Sequence, residues 1–240
     1  MKKHSLVLER VGFIIFTFAI VLGILLVLAS AWPDMEAMVY GFERFTEDPL
    51  KGLACPVLMT TRDRETVTVR LHNPDDKVMN RQLEAQISSR LTLVFDEQWV
   101  ELQPDETKTI AWEIGEENID LKRFIFVSVR AFPSQSLPLV ESTCGVLVLD
   151  LPFAGGVVLF YVALGLTVLG IGFGLWLWTR HTDLSEPAAV SQSRFMRFLV
   201  GVIVVGVAGS LLGYWIIGLL SLVVMLLTWS VFLYPRKSTI

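Results

Sequence analysis

Three long stretches of this chain lack Asp, Glu, Lys, Arg and His altogether: Val11–Ala31, Leu151–Thr179 and Phe198–Pro235. An uncharged apolar run of about 18 residues or more reads as a membrane span, because about 20 helical residues match a hydrocarbon core about 30 Å thick. In lipid each such length must satisfy its own backbone, which leaves helices as the solution. The third stretch is too long for one crossing. Phe198–Tyr234 is 37 residues, about 55 Å as a single helix. A hairpin with short legs is predicted, turning near Gly209–Trp215, "GSLLGYW", where glycine, serine and interfacial aromatics cluster. The expectation is an α-helical membrane protein with four spans: residues 11–31, residues 152–179 and a helical hairpin within 198–234.

Charge orients these spans. Trp32–Asp150 carries 21 acidic and 12 basic residues, and the rest of the chain carries 3 acidic and 8 basic ones. The outlying bases are Lys2, Lys3 and Arg10, then Arg180, Arg194 and Arg197, then Arg236 and Lys237. Short loops rich in Lys and Arg stay in the cytoplasm. All three clusters can be inside only if the tails 1–10 and 235–240 and the loop 180–197 are cytoplasmic and 32–151 lies outside. "MKKHSLVLER" has the form of a leader, and Ala29-Ser30-Ala31 fits a cleavage site. The apolar run nevertheless exceeds the about 7–15 residues of a signal core, so a retained anchor is expected.

The segment placed outside begins with a helical pattern. Met35, Met38, Val39, Phe42 and Phe45 fall on one face, and Pro33 and Asp34 suit a helix start. Such a stripe packs on its own domain or docks a partner. Beyond Gly52 the period becomes two. Val67, Val69 and Leu71 alternate with Thr66, Thr68 and Arg70, and Leu83, Ala85 and Ile87 alternate with polar neighbours. "RLTLVF" repeats the pattern. Ile110, Trp112 and Ile114 follow, then Ile125, Val127 and Val129, then "TCGVLVLDL". "NPDD" and "QPDE" mark turns. About seven short strands separated by turn signals predict an all-β sandwich inserted between the first two spans.

Both cysteines of the chain, Cys55 and Cys144, lie in this segment. An extracytoplasmic compartment permits a disulfide, and first and last strands are often neighbours in a sandwich. A Cys55–Cys144 bridge is expected, contributing on the order of 4–5 kcal/mol by loop closure. His4, His72 and His181 cannot converge with both thiols in this topology, so no metal site is expected.

"CPVLMTTRDRETVTVRLHNPDDK", "VELQPDETKTIAWEI" and "STCGVLVLDL" together resemble the immunoglobulin-like domains of bacterial surface and membrane proteins. Those commonly carry an Asn-Pro or Asn-Thr turn and a Leu-x-Pro-Gly-Glu turn. Asp105 stands where that pattern has glycine. Anchor, sandwich and three further spans are similar in arrangement to multi-pass proteins of environmental bacteria. The resemblance covers about 100 residues, the size of one such domain. It implies a fold and no activity.

Intramembrane ionisable residues mark proton relays, ion paths and catalysis in lipid, and the spans offer none. "AGSLLG" is similar to an intramembrane serine-protease motif, but no histidine lies in a span, so Ser210 reads as a packing residue. Gly170 and Gly174, Gly206 and Ser210, and Gly209 and Gly213 share the four-residue spacing that lets helices approach closely. Those faces serve either the chain's own spans or another subunit. Trp32, Trp176 and Trp178 fall where interfacial anchors belong. The cytoplasmic loop is too short for an output domain and has no phosphate-binding glycine loop. The acidic outside segment argues against nucleic acid. No spacing among the outside Asp, Glu and Arg residues assigns catalytic roles, and no cofactor is expected. The expected function is a non-catalytic accessory or scaffold subunit, partnered by the bilayer and other membrane subunits. The alternative is a surface receptor or adhesion module that binds through loops such as Asn73–Lys77 and Gly115–Asp120. In it, Glu116, Glu117 and Asp120 are candidate Ca²⁺ ligands.

Overall fold

The computed structural model describes residues 2–40, 42, 49–89, 93–134, 137–152, 154–182 and 187–233. The chain divides into two compact units, Met1–Ala31 with Phe160–Ile240, and Trp32–Leu159.

The first unit is helical. It holds most of α1 (Lys2–Val39) and α2 (Gly156–His181), and all of α3 (Pro187–Leu211) and α4 (Trp215–Leu233). Among the described residues three helical stretches are long and apolar enough to cross a membrane: Val7–Val39, Gly156–His181 and Ala189–Leu211. The apolar part described in α4, Trp215–Thr228, is shorter. Phe16, Ile20, Trp178, Met196, Leu199, Ile203 and Met225 form the centre of the unit. Small residues set its helix contacts. A Cβ added at Gly174 would lie 2.6 Å from the Phe16 nitrogen, and one at Gly12 would lie 2.7 Å from the Trp178 nitrogen. Gly170 meets Ala19, Gly206 meets Ser221 and Val27, Gly209 meets Ile217, and Gly218 meets Ser210 and Ala31.

Gly213, expected to pack as a small residue, has open space around it and a φ of +81°. It ends α3 instead. Tyr214 donates its N–H to Gly209 at 2.9 Å, and Gly213 donates to Ser210 at 3.0 Å, the paired bonds of a Schellman cap.

Two expected boundaries differ. A fresh helix start at Pro33 is expected, yet α1 runs through Pro33 to Val39. Proline's fixed φ suits a helix, and the loss is confined to one backbone donor and its crowding of the preceding turn. The third helix is expected from Phe198, after the loop 180–197, whereas α3 is helical from Pro187. Pro187–Arg197 therefore belong to the same helix as the apolar run that follows. Arg236 and Lys237 lie outside the described residues.

Among the described residues the second unit contains seven strands: β1 (Leu58–Thr60), β2 (Glu65–His72), β3 (Met79–Ile87), β4 (Val94–Leu102), β5 (Thr107–Ile114), β6 (Phe124–Ala131) and β7 (Val140–Leu149). One sheet has the order β1-β7-β6-β3-β4 and the other pairs β2 with β5. Alternate residues of both sheets meet in one apolar core. Val67, Val69, Leu71, Trp112 and Ile114 come from the smaller sheet, and Leu83, Ala85, Ile125, Val127, Val129 and Val146 from the larger.

The opening segment serves both sheets. Gly52 and Ala54 bond Arg70 and Thr68 on β2. The chain then crosses over, and β1 runs parallel to β7, with Leu58 opposite Leu147. Cys55 sits at the crossing and is disulfide-bonded to Cys144 of β7, Cα–Cα 6.6 Å. The bridge spans 89 residues of sequence.

Polar side chains pin the loops at the ends of the strands. Asn73 is fully buried. Its amide donates to the Lys77, Leu102 and Gln103 carbonyls at 2.8, 3.1 and 3.0 Å, tying the β2–β3 turn to the β4–β5 turn. In that second turn Asp105 has a φ of 57°, the left-handed region that favours glycine. Ser88 and Asn118 exchange bonds of 2.8 and 3.2 Å elsewhere. Arg81 points inward and is buried. Its guanidinium donates to the carbonyls of Phe132 at 3.0 Å, Ala131 at 3.2 Å and Pro138 at 2.7 Å. Burial pushes its pKa down from the usual arginine value.

Asp63, between β1 and β2, accepts N–H bonds from Thr60 and Gly156, each 2.7 Å. It thereby satisfies a first-turn donor of α2. Burial alone would raise the Asp63 pKa, but the bonds from Gly156 and Thr60 outweigh it and hold the carboxyl below its ordinary value.

Candidate interaction surface

The larger sheet has one face in the core, so its alternate side chains point the other way. On β6 these are Phe124, Phe126, Ser128 and Arg130; on β7 they are Glu141, Thr143, Gly145 and Leu147. This outer face has three zones.

The first zone is covered by the chain itself. Ala37 and Phe42 pack on Phe124 and Phe126, with Trp32 and Leu147 alongside. Trp32 meets Phe124 edge-on, with centroids 5.6 Å apart, and Phe42 lies 5.6 Å from Phe126. The C-terminal turns of α1 come so close to β7 that a side chain at 145 would overlap the Pro33 backbone. The Gly145 amide donates to Asp34 at 2.7 Å.

The second zone is an ion network. Arg130 donates through Nε to Glu141 at 2.8 Å and lies 3.2 Å from Glu84. Ser128 adds a 2.8 Å bond to the same Glu141 oxygen. Glu141 is fully buried. The cation and these donors offset the cost of taking a carboxylate out of water.

The third zone is open. β4 ends the sheet order, and among the described residues it pairs only with β3. Val100 and Leu102 turn into the core, while Trp99 is 73% exposed and Phe95 56%. Glu97 and Glu101 alternate with these two aromatics along the same face. Glu97 accepts a bond from Gln82 at 3.2 Å, and Glu101 accepts one from Gln103 at 3.1 Å. Asp96 turns the other way and accepts the Trp112 indole N–H at 2.7 Å, which joins β4 to β5.

The candidate docking stripe at the end of α1 is not a single open face. Phe42 is buried against Phe126. Met35 and Met38 are half-buried, whereas Val39 is exposed. Phe45 lies outside the described residues. Phe42 therefore belongs to the fold, and the buried side of α1 here is formed by Pro33 and Ala37. Gly170, Gly174, Gly206, Ser210 and Gly209 all contact other parts of the helical unit. Of the candidate Ca²⁺ ligands, Glu117 lies 3.4 Å from Arg64, and Asp120 accepts the Leu121 N–H at 2.7 Å. Among the described residues no group of three or more His, Cys, Asp or Glu is placed to hold a metal ion.

Phe95 and Trp99 escape a reading of the sequence because periodicity cannot tell an edge strand from a central one. The one available signal is that tryptophan and phenylalanine share a parity with Glu97 and Glu101, while Val100 and Leu102 hold the other. The chain matches no protein-family model and no curated protein.

Proposed function

We propose that the chain is a non-catalytic accessory or scaffold subunit of a membrane protein assembly. In this reading four helices span the bilayer, both tails are cytoplasmic, and an extracytoplasmic immunoglobulin-like sandwich makes protein contacts. Support for the sandwich type comes from strand order. β2 and β5 take the places of the B and E strands, β3, β6 and β7 those of C, F and G, and β4 that of the added C′ strand. The staple differs from the B–F bridge of antibody domains, since it ties the opening segment to the last strand. Support for the orientation comes from the basic flanks and the acidic middle of the sequence. The α4 helix, 19 residues long, would be about 28 Å in length, close to a hydrocarbon thickness.

The observation that carries the reading is the open β4 surface. Exposed aromatics clustered on one face mark interaction sites, and Trp is the residue most enriched at the energetic centres of interfaces. The test is to solubilise the tagged full chain in mild detergent and identify its co-purifying proteins. Stoichiometric membrane subunits are expected, and Phe95→Ala with Trp99→Ala is expected to deplete them. Recovery of a lone chain from the wild type would remove the accessory reading. Protease added outside intact cells is expected to leave the C-terminal tail uncut; trimming would overturn the four-span orientation.

A further inference from the structure

We infer that β4 receives an extended cationic segment of a partner chain, which adds to the larger sheet as its next strand. This rests on the reading of the chain as a subunit and specifies the chemistry of its partner. All nine residues of β4 pair with β3 in unbroken register, from Met79 opposite Leu102 to Ile87 opposite Val94. The far side of that ladder is unpaired among the described residues. Exposed edges are commonly blunted by proline, bulges, lysine or shortness. Val94–Leu102, "VFDEQWVEL", is nine residues long and has no proline, lysine or bulge; its charges are all acidic, Asp96 bonded to Trp112 and Glu97 and Glu101 on the outer face. An added strand would gain the backbone bonds on that side, and its alternate side chains would lie beside Phe95, Glu97, Trp99 and Glu101.

Charge selects the occupant. Neither Glu97 nor Glu101 has a basic partner among the described residues, and both accept only from glutamine amides. Arg130 is committed to Glu84 and Glu141. A strand with Lys or Arg at alternate positions meets both free carboxylates, and opposite charges across strands are stabilising. A second copy of the chain fits less well. Antiparallel self-pairing centred on Gln98 sets Glu97 diagonal to its own copy and to the copy of Glu101, with diagonal neighbours about 7–8 Å apart.

The experiment uses the full chain in detergent micelles and three capped synthetic peptides as long as β4. One alternates lysine and valine, one alternates glutamate and valine, and one repeats the lysine peptide with alternate backbone nitrogens methylated. Trp fluorescence reports binding. The lysine peptide is expected to bind about tenfold or more tighter than either of the others. Glu97→Lys with Glu101→Lys is expected to invert the preference between the charged peptides. Both positions are solvent-facing, so this variant keeps its fold, and unchanged circular dichroism checks that. Equal binding of the methylated and unmethylated lysine peptides would show attraction without strand addition and overturn the inference. Equal binding of the lysine and glutamate peptides overturns it as well, and so does concentration-dependent dimerisation lost in Trp99→Ala. If co-purifying subunits persist and depend on Trp99 while the peptides fail, the strand mode is wrong and the subunit reading stands. If the peptides bind as expected and no subunit co-purifies, the subunit reading is the one that fails.

Discussion

The Gly145 amide donates to the Asp34 carboxylate at 2.7 Å, and the backbone of Pro33 fills the space where any other residue at 145 would place its Cβ. The two features act together, because the bond exists only if the helix comes close enough to exclude a side chain. Glycine has no Cβ to collide, and a carboxylate bonded to a backbone amide is among the stronger hydrogen bonds.

Asp34→Ala is accordingly expected to destabilise the β unit by about 2 kcal/mol. Gly145→Val is expected to separate Trp32–Val39 from β7 and expose Phe124 and Phe126. Denaturant titration followed by tryptophan fluorescence measures the first. Binding of an apolar dye to the second, at native circular dichroism, measures the other. A Gly145→Val chain that binds no more dye than wild type contradicts the close packing.

Replacing both cysteines, Cys55→Ser with Cys144→Ser, is expected to cost about 4–5 kcal/mol, the loop-closure value for a separation near 90 residues. Reductant should lower the melting temperature of the native chain and leave the double variant unmoved. A thiol-directed label that reacts with the unreduced, denatured native chain would refute the bridge.

The Asp63 carboxyl titrates below its ordinary value when folded. A carboxyl with a depressed folded pKa contributes stability above its unfolded pKa and loses it as the pH falls through the folded one. The native chain should therefore lose stability progressively below about pH 4, the ordinary carboxylate range. Asp63→Ala should flatten that part of the profile and cost about 1 kcal/mol at neutral pH, as the loss of a helix N-terminal acceptor does. The comparison of the two profiles from pH 2 to 7 decides this; parallel curves would exclude a role for Asp63.

Arg81→Met keeps the length of the side chain and removes its donors. The carbonyls of Ala131, Phe132 and Pro138 then lie buried or half-buried without that partner. A cost of about 3 kcal/mol is expected. Arg81→Lys should restore only part of it, since an ammonium cannot reproduce the planar fork. Hydrogen exchange should quicken first at Phe132 and Leu137; uniform quickening across all strands would indicate a general loss of core packing instead.

The strands were legible where one face is buried. Val67, Val69 and Leu71 alternate with polar residues and all three lie in the core. Arg81 breaks that logic. It occupies an inward parity that periodicity assigns to an apolar residue, and only the carbonyls of a segment some 50 residues away make its burial possible. Pro33 reads as a helix start because proline is favoured there, but the packing of Ala37 and Trp32 on β6 outweighs that local preference. Asp105 stands where the immunoglobulin-like pattern has glycine, and its φ of 57° is the conformation that glycine would supply. The open surface was not readable. Trp99 and Trp112 both sit in alternating strands, and only the order of the strands leaves the first exposed and the second in the core.

The staple has a consequence for biogenesis. Cys55 precedes every strand, whereas Cys144 lies in the last one. Ribosomes deliver the chain from its N-terminus, so the first thiol must wait, unpaired, until six strands have been delivered ahead of its mate. Closure of the staple thus reports that nearly the whole domain has been made, and a chain cut short before β7 keeps Cys55 without its mate.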